Sequence, residues 1–212
     1  MRVYKFLDAH FGLKSLYEKR LKISRIHDLN DPFELLPFKL SVREHRLATV
    51  QEKRRLATNR GVLCFSAGWD DPVVWAHYSD KHRGICLGFE VPDAYCDRVK
   101  YVSKRLPFPK TATDEVADAW LFTKYRNWQY EQEIRIMAPL GLAEGGLYFR
   151  DFDAALRLVK IIAGAQCTIP QTALRRALGN LANQTQVVKA RAAFNSFKIV
   201  KNQRGFETGT SR

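Results

Sequence analysis

The sequence predicts an α+β fold with a mainly antiparallel sheet and flanking helices. Strand-like and helix-like segments are mixed along the chain, without the regular alternation that a doubly wound parallel sheet requires. Several predicted strands also follow one another through tight turns, which connect antiparallel neighbours. The chain has 212 residues, 46% of them hydrophobic, which is enough for one substantial core. We therefore expect a single domain over residues 1–202 and a polar, disordered tail over 203–212.

The first half of the chain combines clear strand patterns with capped helices. Ser41 and Glu44 match a capping box, which predicts a helix up to Asn59. Asp71 and Pro72 mark the start of a short helix. The other predicted elements are a strand at MRVYKF, a helix at AHFGLKSLYEKRL, a strand at LKISRI, a turn at DLNDPFE and a buried strand at GVLCFSAG.

The second half continues the mixture of strands and helices. Thr168 as a cap and Pro170 near the start predict the last helix, TIPQTALRRALGNLAN. The other predicted elements are strands at GICLGFEV and RVKYV, a helix at ATDEVADAWLFTKY, and strands at NWQYEQEIRI, RLVKIIAG, VVKARAAF and FKIVK. Together these elements support the α+β interpretation, with no internal repeat.

The excess of basic residues is the most unusual property of the composition. The formal net charge is +13, and the predicted helix from Ser41 to Asn59 is especially basic on its exposed side. Such an excess favours partners that are polyanions, either nucleic acid or an acidic protein target. No apolar run reaches membrane-spanning length, and the start of the chain lacks the apolar core of a signal peptide. We therefore expect a cytoplasmic protein without a membrane partner.

Several common kinds of site are disfavoured by the sequence. The four cysteines are widely spaced and form no C-x-x-C pair, which favours buried or unreactive thiols over disulfides or zinc ligands. There is no H-E-x-x-H or similar spacing, so no metal is predicted. The absence of G-x-G-x-x-G, Walker and G-x-S-x-G motifs argues against dehydrogenase, ATPase and nucleophile-elbow hydrolase functions.

The segment NWQYEQEIRI carries the strongest candidate for chemistry. If it is a strand, Glu131, Glu133 and Arg135 share one face. A row of charges facing solvent is the first interpretation of this pattern, and such surface pairs contribute little stability. The flanking Trp128 and Tyr130 instead indicate a covered strand. Two neighbouring carboxylates on a rigid strand suit acid–base work and the stabilisation of an oxocarbenium-like transition state.

Other candidate residues follow the strand GVLCFSAG. Ser66 ends this strand, where a hydroxyl can cap the turn or hold a ligand. Trp75, His77 and Tyr78 lie close together on the short helix that comes next. Their rings are suited to stacking on a planar base, and equally to packing in a core.

The combination of YKF, NDPFE, CFS, W-x-x-Y and YExEIR resembles a bacterial domain-of-unknown-function family. Some members of that family appear among abortive-infection and phage-defence genes. The resemblance covers most of the chain up to about Ile136 and continues less sharply to the segment IIAGAQC. It implies a defence context but no particular activity.

The chain also resembles ADP-ribosyltransferases, which have a split antiparallel sheet around an NAD cleft. The motifs in order are Tyr4-Lys5-Phe6, then Cys64-Phe65-Ser66 where those enzymes have S-T-S, then Glu131-Gln132-Glu133. This resemblance implies that Glu133 bonds a ribose hydroxyl and stabilises the cation left as nicotinamide departs. It also implies that Glu131 orients or deprotonates the acceptor and that Ser66 supports the nicotinamide ribose. The residues that it implies for NAD binding are Tyr4, Lys5, Phe65, Trp75, His77, Tyr78, Arg135, Asn30 and Asp31, with Arg2 as an alternative to Lys5.

Three hypotheses for function remain open from the sequence. The first is an ADP-ribosyltransferase-like toxin or phage-defence effector that transfers ADP-ribose from NAD to a macromolecular target. The second is a nucleic-acid-binding or nuclease-like module without NAD chemistry. The third is a non-catalytic regulatory or immunity partner, in which the charged residues around Glu133 form an interface with a cognate toxin or antitoxin.

Overall fold

The structure is a computed structural model that describes residues 1–111 and 113–206. It is an α+β fold with a mostly antiparallel sheet, which confirms the predicted class. The helices are α1 (Ala9–Glu18), α2 (Arg43–Ala57), α3 (Pro72–Tyr78), α4 (Asp114–Phe122) and α5 (Gln171–Leu178). The strands are β1 (Arg2–Leu7), β2 (Arg20–Arg25), β3 (Arg60–Ser66), β4 (Ile85–Glu90), β5 (Asp97–Arg98), β6 (Lys100–Val102), β7 (Thr123–Tyr125), β8 (Glu133–Pro139), β9 (Tyr148–Asp151), β10 (Arg157–Ala163), β11 (Gln186–Ala192) and β12 (Ile199–Lys201).

The chain forms two compact units, each built from separate stretches of sequence. The first unit contains Met1–Leu21, Phe65–Ala94 and the described residues from Asp151 onward. The second unit contains Lys22–Cys64 and Tyr95–Arg150. The predicted tail, 203–212, lies outside the described residues from position 207 onward. No helix in the described part of the chain combines the length and the apolar character needed to cross a membrane.

The first unit is built on a sheet in which β4 lies between β1 and β10. Both of these pairings are antiparallel, whereas β10 and β11 run parallel. Helix α1 begins after Asp8, whose carboxylate accepts a hydrogen bond from the Phe11 amide. Gly12 lets α1 approach the sheet closely at Leu7 and Ile85, so the helix covers that face. Helix α3 lies against the opposite face, where its Trp75 packs edge-on against Phe6.

The second unit combines antiparallel and parallel pairs. Strands β2 and β3 pair antiparallel, as do β5 and β8, whereas β6 and β7 pair parallel. Its apolar core gathers side chains from α2, α4 and the segment between β2 and α2, with Phe38 and Trp120 in edge-to-face contact at 5.0 Å. The buried members of this core are Ile26, Leu35, Phe38, Leu56, Trp120, Leu121 and Phe122.

Two predicted helix caps are wrong. Helix α2 begins at Arg43 with Val42 as its N-cap residue, and no side chain caps it. The Arg46 guanidinium instead donates to the carbonyl groups of Leu40 and Ser41, so the capping box does not form. Helix α5 begins after Pro170, also without a side-chain cap, so Thr168 does not cap it.

The segment NWQYEQEIRI is not a continuous strand. Residues Arg126–Glu131 form a 3₁₀ helix, Gln132 adopts a left-handed conformation with φ 44°, and β8 starts at Glu133. The preceding helix is also shorter than predicted, because Thr123–Tyr125 leaves α4 to form β7. These changes place Glu131 and Glu133 on different kinds of backbone, separated by a sharp turn.

Candidate functional site

A buried cluster of ion pairs lies in the second unit. It contains three carboxylates, those of Glu34, Glu131 and Glu133, and two cations, Lys124 and Arg135. Each of these residues is at most 6% exposed. Charged side chains are almost never buried to this extent unless they are paired, which is the case for all five residues here.

Arg135 is the centre of this ion cluster. Its Nε donates to Glu133 at 2.8 Å, and one terminal nitrogen donates to both carboxylate oxygens of Glu34, at 2.7 and 2.9 Å. The other terminal nitrogen donates to the Leu121 carbonyl at 2.7 Å. A guanidinium provides donors in several fixed directions, so one arginine holds β8, the end of α4 and the Glu34 turn together.

Lys124 connects the remaining carboxylates. Its ammonium donates to Glu131 at 2.6 Å and to Glu133 at 3.1 Å, and lies 3.6 Å from Glu34. The same ammonium lies 4.8 Å from the centre of the Trp128 ring, a cation–π arrangement.

The ion cluster shifts the pKa values of Glu133, Lys124 and Arg135. Burial by itself raises the pKa of Glu133, but the nearby charge and hydrogen bonds of Arg135, together with Lys124, lower it to about 2. Burial likewise opposes the charge of Lys124, yet Glu133 and Glu131 raise its pKa above the ordinary lysine value. Glu133 is therefore ionised at neutral pH and cannot serve as a proton donor.

Glu131 and Glu133 are brought together, but not by strand alternation. Glu131 ends the 3₁₀ helix and Glu133 begins β8, and both reach the same Lys124. The solvent-facing row considered for these residues is wrong, because Glu131, Glu133 and Arg135 are all buried. An additional contact comes from the phenol of Tyr101, which accepts a hydrogen bond from the Glu133 amide at 2.8 Å.

The NDPFE element explains how Glu34 enters the ion cluster. Asp31 is 4% exposed, and one of its carboxylate oxygens accepts from the Phe33 amide at 2.8 Å. The Glu34 amide donates to the Asp31 carbonyl at 2.9 Å, which closes the turn and directs Glu34 inward. Asn30 precedes this turn and is exposed. Sequence reasoning selected Asn30 and Asp31 and missed Glu34 and Lys124, although a carboxylate following N-D-P-F was a visible signal.

A second candidate region lies in the first unit, where polar residues line up across the sheet. Tyr4 on β1 is directly opposite Ser66 on β3 and Gly88 on β4, and Gly88 is opposite Lys160 on β10. Residues directly opposite each other in antiparallel strands project from the same face. We call Ser66, Tyr4 and Lys160 the polar row. Because Gly88 has no side chain, the side chains of Tyr4 and Lys160 can approach each other across β4. A Cβ at position 88 would lie 3.1 Å from the Cβ of Lys160 and 3.2 Å from the Tyr4 ring.

The polar row is surrounded by positive charge. Burial lowers the pKa of Lys160, and the charges of Arg2 and Lys201 lower it further. Arg2 pairs with Glu90 at 2.7 Å, whereas no carboxylate in the described part of the chain pairs with Lys160. The Lys160 ammonium lies 5.3 Å from the centre of the Trp69 ring. Sequence reasoning missed both Lys160 and Trp69, because Lys160 joins the polar row and approaches Trp69 only through the pairing of β4 with β10.

The remaining candidate residues have different environments within the first unit. Phe65 and Trp75 are buried in its core, and the Trp75 indole donates to the Trp69 carbonyl at 2.6 Å. His77 is exposed on α3 beside the half-buried Tyr78. Lys5 lies opposite Leu87 and so projects from the sheet face opposite to that of the polar row.

No protein-family model, curated protein or solved structure matches this chain. The predicted relationships to a domain-of-unknown-function family and to ADP-ribosyltransferases therefore stay predictions, and the function must be argued from the residues themselves.

Replacing the central arginine tests whether the ion cluster stabilises the second unit. We expect Arg135→Met to lower the free energy of unfolding by about 3–5 kcal/mol, because Glu34 and Glu133 would stay buried without their cation. Arg135→Lys, which keeps the charge but loses the multiple donors, should give an intermediate loss. Urea denaturation followed by circular dichroism measures both.

The control for this experiment is Arg157→Met, which removes an exposed partner of Glu90. Its expected cost is below about 1 kcal/mol. Equal urea midpoints for Arg135→Met and Arg157→Met would show that the ion cluster adds no net stability.

Proposed function

We propose that the first unit binds NAD at the polar row and that the protein is an ADP-ribosyltransferase-like effector acting on a macromolecular target. The observation that carries this proposal is the placement of Lys160. Lys160 is half-buried and has no carboxylate partner among the described residues. It lies in the same row across the sheet as Tyr4 and Ser66, whose side chains carry hydroxyl groups.

Positive charge at the polar row suits a pyrophosphate. Lys160, Arg2 and Lys201 are close enough for their charges to oppose one another, which disfavours the charged form of Lys160. An anion bound among them would relieve this repulsion and form charge-assisted hydrogen bonds. Since Glu90 already neutralises part of the charge of Arg2, Lys160 is the cation that gains most from a bound phosphate.

The neutral groups of the polar row suit the rest of a dinucleotide. The hydroxyl groups of Ser66 and Tyr4 can exchange hydrogen bonds with ribose hydroxyls, since each acts as donor and acceptor. The Trp69 ring is partly exposed and offers a flat apolar surface for a base. Cations, hydroxyl groups and an aromatic ring within one unit are a combination that a nucleotide satisfies better than a sugar or a simple anion.

ADP-ribosyl transfer is the reaction that we propose for the bound NAD. The bond between the nicotinamide nitrogen and the ribose C1′ breaks, and its electron pair leaves with nicotinamide. The nucleophile of the acceptor then bonds to C1′ and loses a proton. A fixed negative charge favours the cationic transition state of this reaction. Glu133 and Glu131, which belong to the second unit, are the residues to which the resemblance to ADP-ribosyltransferases gives the catalytic roles, and they are the ones to test.

Nucleic-acid binding is the second candidate function, and the exposed side of α2 favours it. Arg43 and Arg54 are exposed on this helix, and no carboxylate among the described residues pairs with either. Arg55, by contrast, is engaged by Glu52 at 2.6 Å. Unpaired arginines on an exposed helix can contact phosphates directly, so this surface could recruit a nucleic-acid target with or without NAD chemistry.

Substitution of Lys160 tests the proposed NAD site. We expect Lys160→Met to weaken NAD binding roughly 10–100-fold, which corresponds to the loss of a charge-assisted hydrogen bond. Isothermal titration calorimetry at fixed salt measures the dissociation constants. Lys14→Met is the control, because Lys14 lies on α1, which covers the opposite face of the sheet, and we expect it to bind NAD like the wild type. Wild-type protein that fails to bind NAD, or Lys160→Met protein that binds it normally, would refute the site.

A pair of glutamine substitutions separates catalysis from stability. Glu133 and Glu34 both bond Arg135 inside the ion cluster, so Glu133→Gln and Glu34→Gln should destabilise the fold to a similar degree. Below both unfolding temperatures, with NAD and cell lysate supplied, we expect only Glu133→Gln to reduce nicotinamide release, by roughly 100-fold. Parallel losses in the two variants would assign Glu133 a structural role alone. No release by the folded wild type would contradict the transferase proposal and favour a non-catalytic partner.

Salt dependence tests the nucleic-acid alternative. We expect the double variant Arg43→Gln, Arg54→Gln to bind DNA or RNA more weakly than the wild type, with the slope of log affinity against log salt reduced by about 2. The variant Arg25→Gln, Arg83→Gln loses the same charge from arginines already paired with Asp28 and Asp80, and should change the slope less. Mobility shifts at several salt concentrations provide the slopes, and equal slopes for the two variants would exclude α2 as the binding surface.

A further inference from the structure

The second unit contains a separate cavity that neither the polar row nor the proposed transferase reaction uses. It has a volume of about 310 Å³, at the small end of the range for ligand pockets. Its walls come from the NDPFE turn, from the segment that follows β6, and from β7. All of these belong to the second unit, so the cavity is complete within one compact part of the chain.

The walls of this cavity are largely apolar. The apolar surface of the cavity comes from Phe33, Leu36, Pro37, Val102 and Tyr125. Both of its aromatic side chains are unusually exposed: Phe33 is 55% exposed and Tyr125 is 46% exposed. Large aromatic side chains that stay exposed beside a concave surface indicate an apolar binding partner.

The charged side chains that line the cavity are all basic. The cavity is lined by Lys104, Arg105 and Lys124, and no aspartate or glutamate among the described residues lines it. Lys124 is already held by Glu131 and Glu133, whereas no carboxylate in the described part of the chain pairs with Lys104 or Arg105. The guanidinium of Arg105 lies 5.4 Å from the centre of the Phe33 ring, so a cation and an aromatic face stand side by side.

We infer that this cavity binds a small carboxylic acid with an aromatic or aliphatic body. The carboxylate pairs with the guanidinium of Arg105, which can donate two parallel hydrogen bonds, and Lys104 adds a second positive charge. The body of the ligand lies between Phe33 and Tyr125 and displaces water from their exposed rings. The volume limits the ligand to about one ring and a short chain.

The NDPFE turn connects this cavity to the ion cluster. Phe33 lines the cavity, while the next residue, Glu34, bonds Arg135 inside the ion cluster. Lys124 belongs to both, because it lines the cavity and bonds Glu131 and Glu133. A ligand in the cavity would therefore contact the same turn and the same lysine that hold the acidic residues, which suits a regulatory ligand more than a substrate.

A pair of probes that differ only in charge tests the inference. 3-Phenylpropionate and its neutral amide, 3-phenylpropanamide, have nearly the same shape. We expect the wild type to bind the carboxylate at least about tenfold more tightly than the amide, with affinities in the millimolar range that is usual for ligands of this size. Chemical-shift changes in ¹⁵N-labelled protein provide both the affinity and the location, which should be the lining residues Phe33 and Leu36 together with 102–105 and 123–125.

Substitutions assign the charge preference and the location. Arg105→Gln should abolish the preference for the carboxylate while leaving amide binding unchanged. Arg98→Gln removes an exposed arginine outside the cavity and should keep the preference. Leu36→Trp should fill the cavity and reduce binding of both probes.

The outcomes of this experiment are separate from those of the NAD experiments. Lys160→Met should bind 3-phenylpropionate like the wild type, so a failed transferase proposal leaves the cavity inference standing. Equal affinities for the two probes, shifts outside the expected residues, or no binding of either probe would overturn the inference.

Discussion

The burial of Arg135 is the constraint on which the second unit depends. A guanidinium that is 2% exposed must have its charge and its donors satisfied inside the protein, and here Glu133, Glu34 and the Leu121 carbonyl satisfy them. Because these partners come from distant parts of the sequence, the arginine specifies how those parts pack. Apolar contacts around Trp120 stabilise the same unit but allow more variation in geometry than fixed hydrogen bonds do.

This constraint gives the acidic residues two possible roles. Glu131 and Glu133 are needed to neutralise Lys124 and Arg135, and their hydrogen bonds are made within the protein. A fixed, permanently ionised carboxylate is also what a developing cation requires, so a structural function does not exclude a catalytic one. If the role is structural alone, removing the charge lowers activity only as far as it lowers the folded fraction. Stability and activity must therefore be measured on the same variants.

The two units contribute different binding chemistry. The polar row of the first unit presents a repelled ammonium, two hydroxyl groups and an indole ring, which together suit a dinucleotide. The cavity of the second unit is smaller and more apolar, with arginine and lysine among its lining residues, and suits a compact acid. Positive charge is common to both proposed sites, and Lys160, Lys104 and Arg105 contribute to the net charge of +13.

The sequence by itself determined the fold class, most strands and helices, and the special character of NDPFE and E-x-E-x-R. These signals are local: alternation, helical spacing, proline turns and the chemistry of neighbouring side chains. It misplaced the backbone around Glu131, because Gln132 adopts a left-handed conformation that this residue type does not signal in the sequence. Only the tertiary structure brought Glu34 and Lys124 to Arg135, and Lys160 to Tyr4. Both groupings depend on which distant strands and turns become neighbours, which composition and short-range periodicity do not encode.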